Sequence, residues 1–196
     1  MPSRRRSKKA RILDHLGARS IVLVGMMGCG KSAIGKMLAR KLELEFRDAD
    51  EEIELAAGRS VADIFKEYGE PEFRRLEERV ISRLITEGPM VLALGGGAFL
   101  NDDTRKTILD NGLSVWLNVD FETLYERVMR KPGKRPLLTK GNPREILTDL
   151  MKKREPIYAL SNLHVQSVSG PKSEMRNHLV NRLDEHLASE SRETAQ

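Results

Sequence analysis

Five short runs of apolar or β-branched residues punctuate the chain, at positions 20–24, 44–47, 90–94, 114–119 and 163–168. Each has the length and composition of a strand buried on both faces. Between them, apolar residues recur at helical spacing over 31–42, 61–68, 71–85, 103–111, 121–130 and 143–160. This alternation predicts a three-layer α/β/α domain with a central five-stranded parallel sheet. Two helix starts are signposted. Ser60 with Asp63 three residues on resembles a capping box, and Asn142-Pro143-Arg144-Glu145 sets an N-cap, an N1 proline and an N3 glutamate in order.

The predicted elements place the domain at 20–188, with a basic extension at 1–19 and a polar tail that frays at 189–196. The stretch 131–142, KPGKRPLLTKGN, lies between two helical patterns and is rich in Pro, Gly and Lys. Its length and composition predict a mobile lid.

A chain of 196 residues, 39% of them hydrophobic, has enough apolar material for one core. No apolar run approaches the roughly 18 residues of a membrane span, and the basic start lacks the apolar stretch of a signal peptide. The expectation is a cytoplasmic protein with no membrane partner. The one cysteine, Cys29, has no partner for an internal disulfide. Charge is unevenly placed. Residues 1–19 hold seven basic side chains against one acid, a net +6 compared with +5 for the whole chain, so the body is near neutral. Such an extension reads as solvated and disordered, with an anionic partner as the alternative. Aromatic residues make up only 5%, which argues against base stacking, and no nucleic-acid partner is expected.

The most specific chemistry is Gly25-Met26-Met27-Gly28-Cys29-Gly30-Lys31-Ser32, a G-x-x-x-x-G-K-[ST] loop after a predicted strand and opening a predicted helix. Its glycines let backbone N–H groups converge on phosphate oxygens. The helix start adds a positive dipole end, Lys31 reaches the β/γ phosphates and Ser32 offers a hydroxyl to Mg²⁺. Gly28, Cys29, Gly30, Lys31, Ser32 and Ala33 are therefore the candidate nucleotide cradle. Cys29 has two readings, a small filler of a crowded turn or a reactive thiol at a helix N-terminus. A guanine-specifying N-K-x-D is absent, and the single D-x-x-G, at 14–17, precedes the loop, so a GTPase switch is not indicated.

Asp48 and Asp50, in FRDAD, end the second predicted strand, at the sheet edge where open parallel sheets bind ligands. One can serve a metal and the other accept a proton from an attacking hydroxyl, while a plain helix N-cap pair is the competing reading. The triplet Gly95-Gly96-Gly97 ends the third strand, either as a bare turn or as a place of close ligand approach. Arg74 and Arg154 can each clamp a carboxylate bidentately, although a helical arginine is more often simply solvated.

Taken in order, GMMGCGKS, DAD, GRSVADIFKEYGEPEFRRLE, LGGGAFL, RPLL and REPIY resemble the shikimate kinases, over roughly residues 20–186. The resemblance implies a compact P-loop fold like that of nucleoside-monophosphate kinases. It also implies transfer of the γ-phosphoryl of ATP to the 3-hydroxyl of shikimate, in the route to chorismate and the aromatic amino acids. By the same resemblance, Asp50 would bind that hydroxyl and act as base, and Asp48 with Ser32 would support Mg²⁺. Arg74 and Arg154 would hold the substrate carboxylate, and Gly96 and Gly97 would seat its ring and hydroxyls. Arg135 would contact phosphate and substrate from the lid, and Arg130 would stack on adenine. Shikimate and ATP are thus the expected small-molecule partners, and a monomer the expected state. Within the enzyme class, a gluconate or nucleoside-monophosphate kinase is the nearest competitor. From a different class, a nucleotide-dependent module using its basic extension on an acidic partner is the other.

Overall fold

β1 (Ser20–Val24) is buried at all five positions and lies in the middle of a five-stranded sheet in the computed structural model, which describes residues 6–130, 141–168 and 170–194. β3 (Met90–Ala93) and β4 (Gly112–Asn118) flank it, and β2 (Glu45–Asp48) and β5 (Leu163–Gln166) form the edges. Every adjacent pair is parallel. The three inner strands are buried at every position but Asn118, at the end of β4, as a parallel sheet covered on both faces demands.

The helices are α1 (Lys8–Leu16), α2 (Lys31–Leu42), α3 (Ala49–Ala57), α4 (Val61–Thr86), α5 (Asp102–Asn111), α6 (Phe121–Met129), α7 (Pro143–Tyr158) and α8 (Lys172–Thr194). α1, α2 and α8 pack together, as do α3, α4 and α5. Both signposted starts carry their caps. Ser60 accepts from the Asp63 N–H at 3.1 Å, and Asn142 from the Arg144 N–H at 3.0 Å, with Pro143 in the first turn. The two helical patterns at 61–68 and 71–85 are the arms of the single element α4, broken at Gly69 (φ 78°, ψ 175°) just before Pro71.

The two ends of the chain depart from expectation. The extension read as a disordered tail forms α1, because Ile12 and Leu16, four residues apart, share one face and are fully buried. The tail read as fraying continues α8 to Thr194. The apolar residues Met175, Leu179, Leu183 and Leu187 recur every four positions and are buried, which extends the helix well beyond its first turns. The stretch read as a lid lies outside the described residues except for Gly141 and Asn142. Its flanks are tied together: Arg144, opening α7, lies over the rings of Phe121 and Tyr125 on α6, at 4.9 and 5.2 Å. No helix among the described residues is long and apolar enough to cross a membrane.

Candidate active site

All strands run the same way, so the segments following β1, β2 and β3 emerge on one edge of the sheet. A cleft of about 740 Å³ opens there. The loop after β1 forms its floor, with Gly28 and Gly30 at φ 83° and 101°, a region that only glycine adopts without strain. Gly30 begins α2 without any side-chain cap, so the first-turn N–H groups of Lys31, Ser32 and Ala33 stay open to an anion. The Lys31 ammonium lies across the loop, donating to the carbonyls of Gly25 (2.8 Å) and Met26 (3.1 Å). Cys29 is buried in the loop, with its Sγ 3.7 Å from Lys31 Nζ.

Asp48 is the N-cap of α3, and it also faces the phosphate loop. One oxygen accepts from Ser32 Oγ at 2.6 Å, and the other caps α3 through the Asp50 N–H at 3.2 Å. The resulting pair of hard oxygens, a hydroxyl and a carboxylate beside a phosphate cradle, fits the donor preference of Mg²⁺. Asp50, one residue into α3, reaches the loop after β3. A Cβ on Gly95 would stand 2.8 Å from Asp50 Oδ1 and 3.1 Å from Glu77 Oε1, so only glycine lets these two carboxyls close in. Asp50 is exposed on the cleft, with protein groups crowding its flanks. Desolvation, then repulsion from Asp48, raises its pKa above the ordinary aspartate value, against the pull of Lys31 and Arg74. Desolvation likewise raises Glu77, against the attraction of Arg74.

The two predicted arginines meet adjacent glycines. Arg74 Nη1 donates to Glu77 Oε2 at 2.6 Å and Nη2 to Glu70 Oε1 at 3.0 Å, which aims the guanidinium at Gly97. Burial works against its charge, but Glu77 and Glu70 outweigh that and raise its pKa. Arg154 Nη1 donates to Gly96 O at 3.1 Å. Of the predicted site, Gly28 through Ala33, Asp48, Asp50, Gly96 and Arg130 line the cleft itself. Arg154 adjoins it at Gly96, and Arg74 stands against the next residue, Gly97. Arg135 lies outside the described residues.

Five residues of the site and its surroundings were missed by sequence reasoning. Arg127 lines the cleft and reaches the Cys29 carbonyl at 3.5 Å, one helical turn before Arg130. Glu77 stands three residues after Arg74, and Tyr158 four after Arg154, so the i, i+3 and i, i+4 neighbourhood of each arginine held the signal. Lys172 and Met175 of α8 also line the cleft, and no motif in the sequence marks that place for them.

Comparison with known proteins accords with this geometry. The model of the family described as shikimate kinase matches residues 27–184. A shikimate kinase from Brucella canis is 47% identical over 180 residues, covering 92% of this chain and 90% of that protein. A shikimate kinase from Acinetobacter baumannii, solved in complex with shikimate, superposes with a TM-score of 0.79 at 33% identity, covering 87% of this chain and 95% of that one. A gluconokinase from Sinorhizobium meliloti shares the fold alone, at 18% identity and a TM-score of 0.60. The family model covers most of the chain, from the phosphate loop to α8, and the relative covers 92% of it: the chain belongs to the shikimate kinase family.

Proposed function

We propose that this chain is a shikimate kinase, transferring the γ-phosphoryl group of ATP to the 3-hydroxyl of shikimate and releasing shikimate 3-phosphate and ADP. One observation carries the reading. Two guanidiniums, from Arg74 and Arg154, are brought against adjacent glycines beside Asp50, at the same sheet edge as the phosphate cradle. That arrangement suits a small anionic polyol, its carboxylate on the arginines and one hydroxyl toward Asp50.

The N–H groups of Gly28 and of Gly30 through Ala33, with Lys31, hold the nucleotide's phosphates, and Arg127 on α6 and Arg130 at its end face it. Ser32 and Asp48 would hold Mg²⁺, which when bound neutralises charge on the phosphates. Asp50 accepts the proton of the attacking hydroxyl as the new P–O bond forms, and the electron pair of the breaking bond leaves on ADP. The raised pKa of Asp50 makes it a better base than an ordinary aspartate, provided it is ionised. The family assignment of Arg135 to phosphate and substrate completes the set. A cytoplasmic monomer is the accompanying reading, which a dimer's mass by light scattering would overturn.

A coupled ADP-release assay with ATP, Mg²⁺ and a panel of acceptors tests the function. Saturable turnover is expected with shikimate, and none above background with gluconate or nucleoside monophosphates. Turnover with gluconate and none with shikimate would overturn the reading.

A further inference from the structure

Tyr158 is fully buried at the end of α7, yet it carries a polar group, and that group points at the glycine triplet. Its hydroxyl donates to Gly96 O at 2.5 Å, the same carbonyl that takes Arg154 Nη1 at 3.1 Å. Gly96 O and the Gly97 N–H belong to one trans peptide unit, where they point in opposite directions. Fixing the carbonyl toward α7 therefore fixes the direction of the Gly97 N–H. That N–H has no acceptor among the described residues, and Gly97 is only half-buried. Arg74 stands against the same glycine.

We propose that the Tyr158 hydroxyl is a positioning group for the acceptor substrate: it locks the Gly96–Gly97 peptide and Arg154 in one arrangement, presenting the Gly97 N–H and the Arg154 guanidinium together to the substrate's oxygens. The inference rests on the proposed role of Arg154 as a carboxylate clamp. Tyr158 touches no reacting atom and acts through the peptide and the arginine. Burial pushes its pKa up to about 12, so the hydroxyl keeps its proton across the working range and remains a donor. A phenylalanine in its place would preserve the ring packing, including the contact with Trp116 at 6.1 Å between centroids, and remove only the hydroxyl's interactions with Gly96 O and Arg154.

Tyr158→Phe, made in the full chain, separates this role from a merely structural one. The KM for shikimate is expected to rise about three- to tenfold, the worth of one hydrogen bond, with the KM for ATP within about twofold of the parent. Equilibrium titration with shikimate, read from the fluorescence of Trp116, the only tryptophan, should show the same weakening. Combined with Arg154→Lys, the Phe substitution should add less than it costs alone, because both act on the same carbonyl. Unchanged shikimate KM in Tyr158→Phe, or an equal rise in both KM values, overturns the inference. If Arg154→Lys itself leaves shikimate binding intact, the clamp reading falls, and the inference falls with it.

Discussion

At Asp50 one substitution tests reactivity and stability together. The carboxylate is held where desolvation and Asp48 both oppose its charge, so its pKa in the folded protein stands above the unfolded value. A carboxyl raised in this way contributes stability that is fully present below its unfolded pKa and is lost as pH rises through the folded one. Near neutrality Asp50 therefore works against the fold, while its ionised form is the one that can accept a proton. Asp50→Asn should lower kcat by about 10² to 10⁴, leave the KM for ATP near the parent's, and raise the thermal midpoint at pH 7 to 8, with the gain shrinking toward acid pH. In the parent enzyme the acid limb of kcat/KM should lie above the ordinary aspartate value of 3.8, since turnover is lost as Asp50 becomes protonated. Near-normal turnover in the variant would remove the base assignment. A midpoint lower than the parent's at neutral pH would show that the charge is not held under strain.

The loop after β3 works only because it lacks side chains. A Cβ on Gly97 would stand 2.5 Å from Arg74 Nη2, and the guanidinium has little room to retreat because Glu77 and Glu70 hold it. Gly97→Ala should therefore raise the shikimate KM roughly 10- to 100-fold, the range of a hydrogen bond to a charged group, with nucleotide binding unaffected in the same steady-state assay. An unchanged shikimate KM would place Arg74 away from the substrate. This loop also marks what the sequence could and could not yield. Its glycines, the P-loop and the FRDAD turn were legible because each is a local pattern at a strand end, and the caps at Ser60 and Asn142 because a capping box is written in four residues. Which glycine Arg74 and Arg154 would each stand against was not legible, since those contacts join α4 and α7 to the loop after β3 across the fold. α8 was overlooked for another reason. Its buried Met175, Leu179, Leu183 and Leu187 are separated, Val180 apart, by charged and polar residues that dilute the apolar signal, although the four-residue spacing was there to be counted.

Across the whole molecule, the basic extension becomes a brace behind the nucleotide half of the cleft. α1 docks on α8, the helix whose Met175 and Lys172 line that half, and reaches α2, which begins at the phosphate cradle. Its cations are largely engaged within the chain. Arg11 grips Asp184 through Nε (3.0 Å) and Nη2, Arg19 meets Glu190 at 2.9 Å, Lys8 meets Asn181 at 2.6 Å, and Lys9 pairs with Glu43 at the end of α2. The exposed members of this set are worth little individually, and the hold comes mainly from burying Ile12 and Leu16, about 1.5 to 3 kcal/mol each. A terminal helix can also undock as a unit, so its loss costs no more than its own docking. Removing residues 1–18 should therefore lower the thermal midpoint by several degrees and leave a folded enzyme. Because α1 supports α8 and α2, the KM for ATP should rise while the KM for shikimate, set by Arg74, Arg154 and the glycine loop, stays within about twofold. Ile12→Asp in the full chain, which buries a charge in the same interface, should reproduce both effects. A midpoint that does not move in either variant would show that α1 carries no stability, and a shikimate KM that rises as steeply as that for ATP would show that it supports the fold at large instead of the nucleotide half.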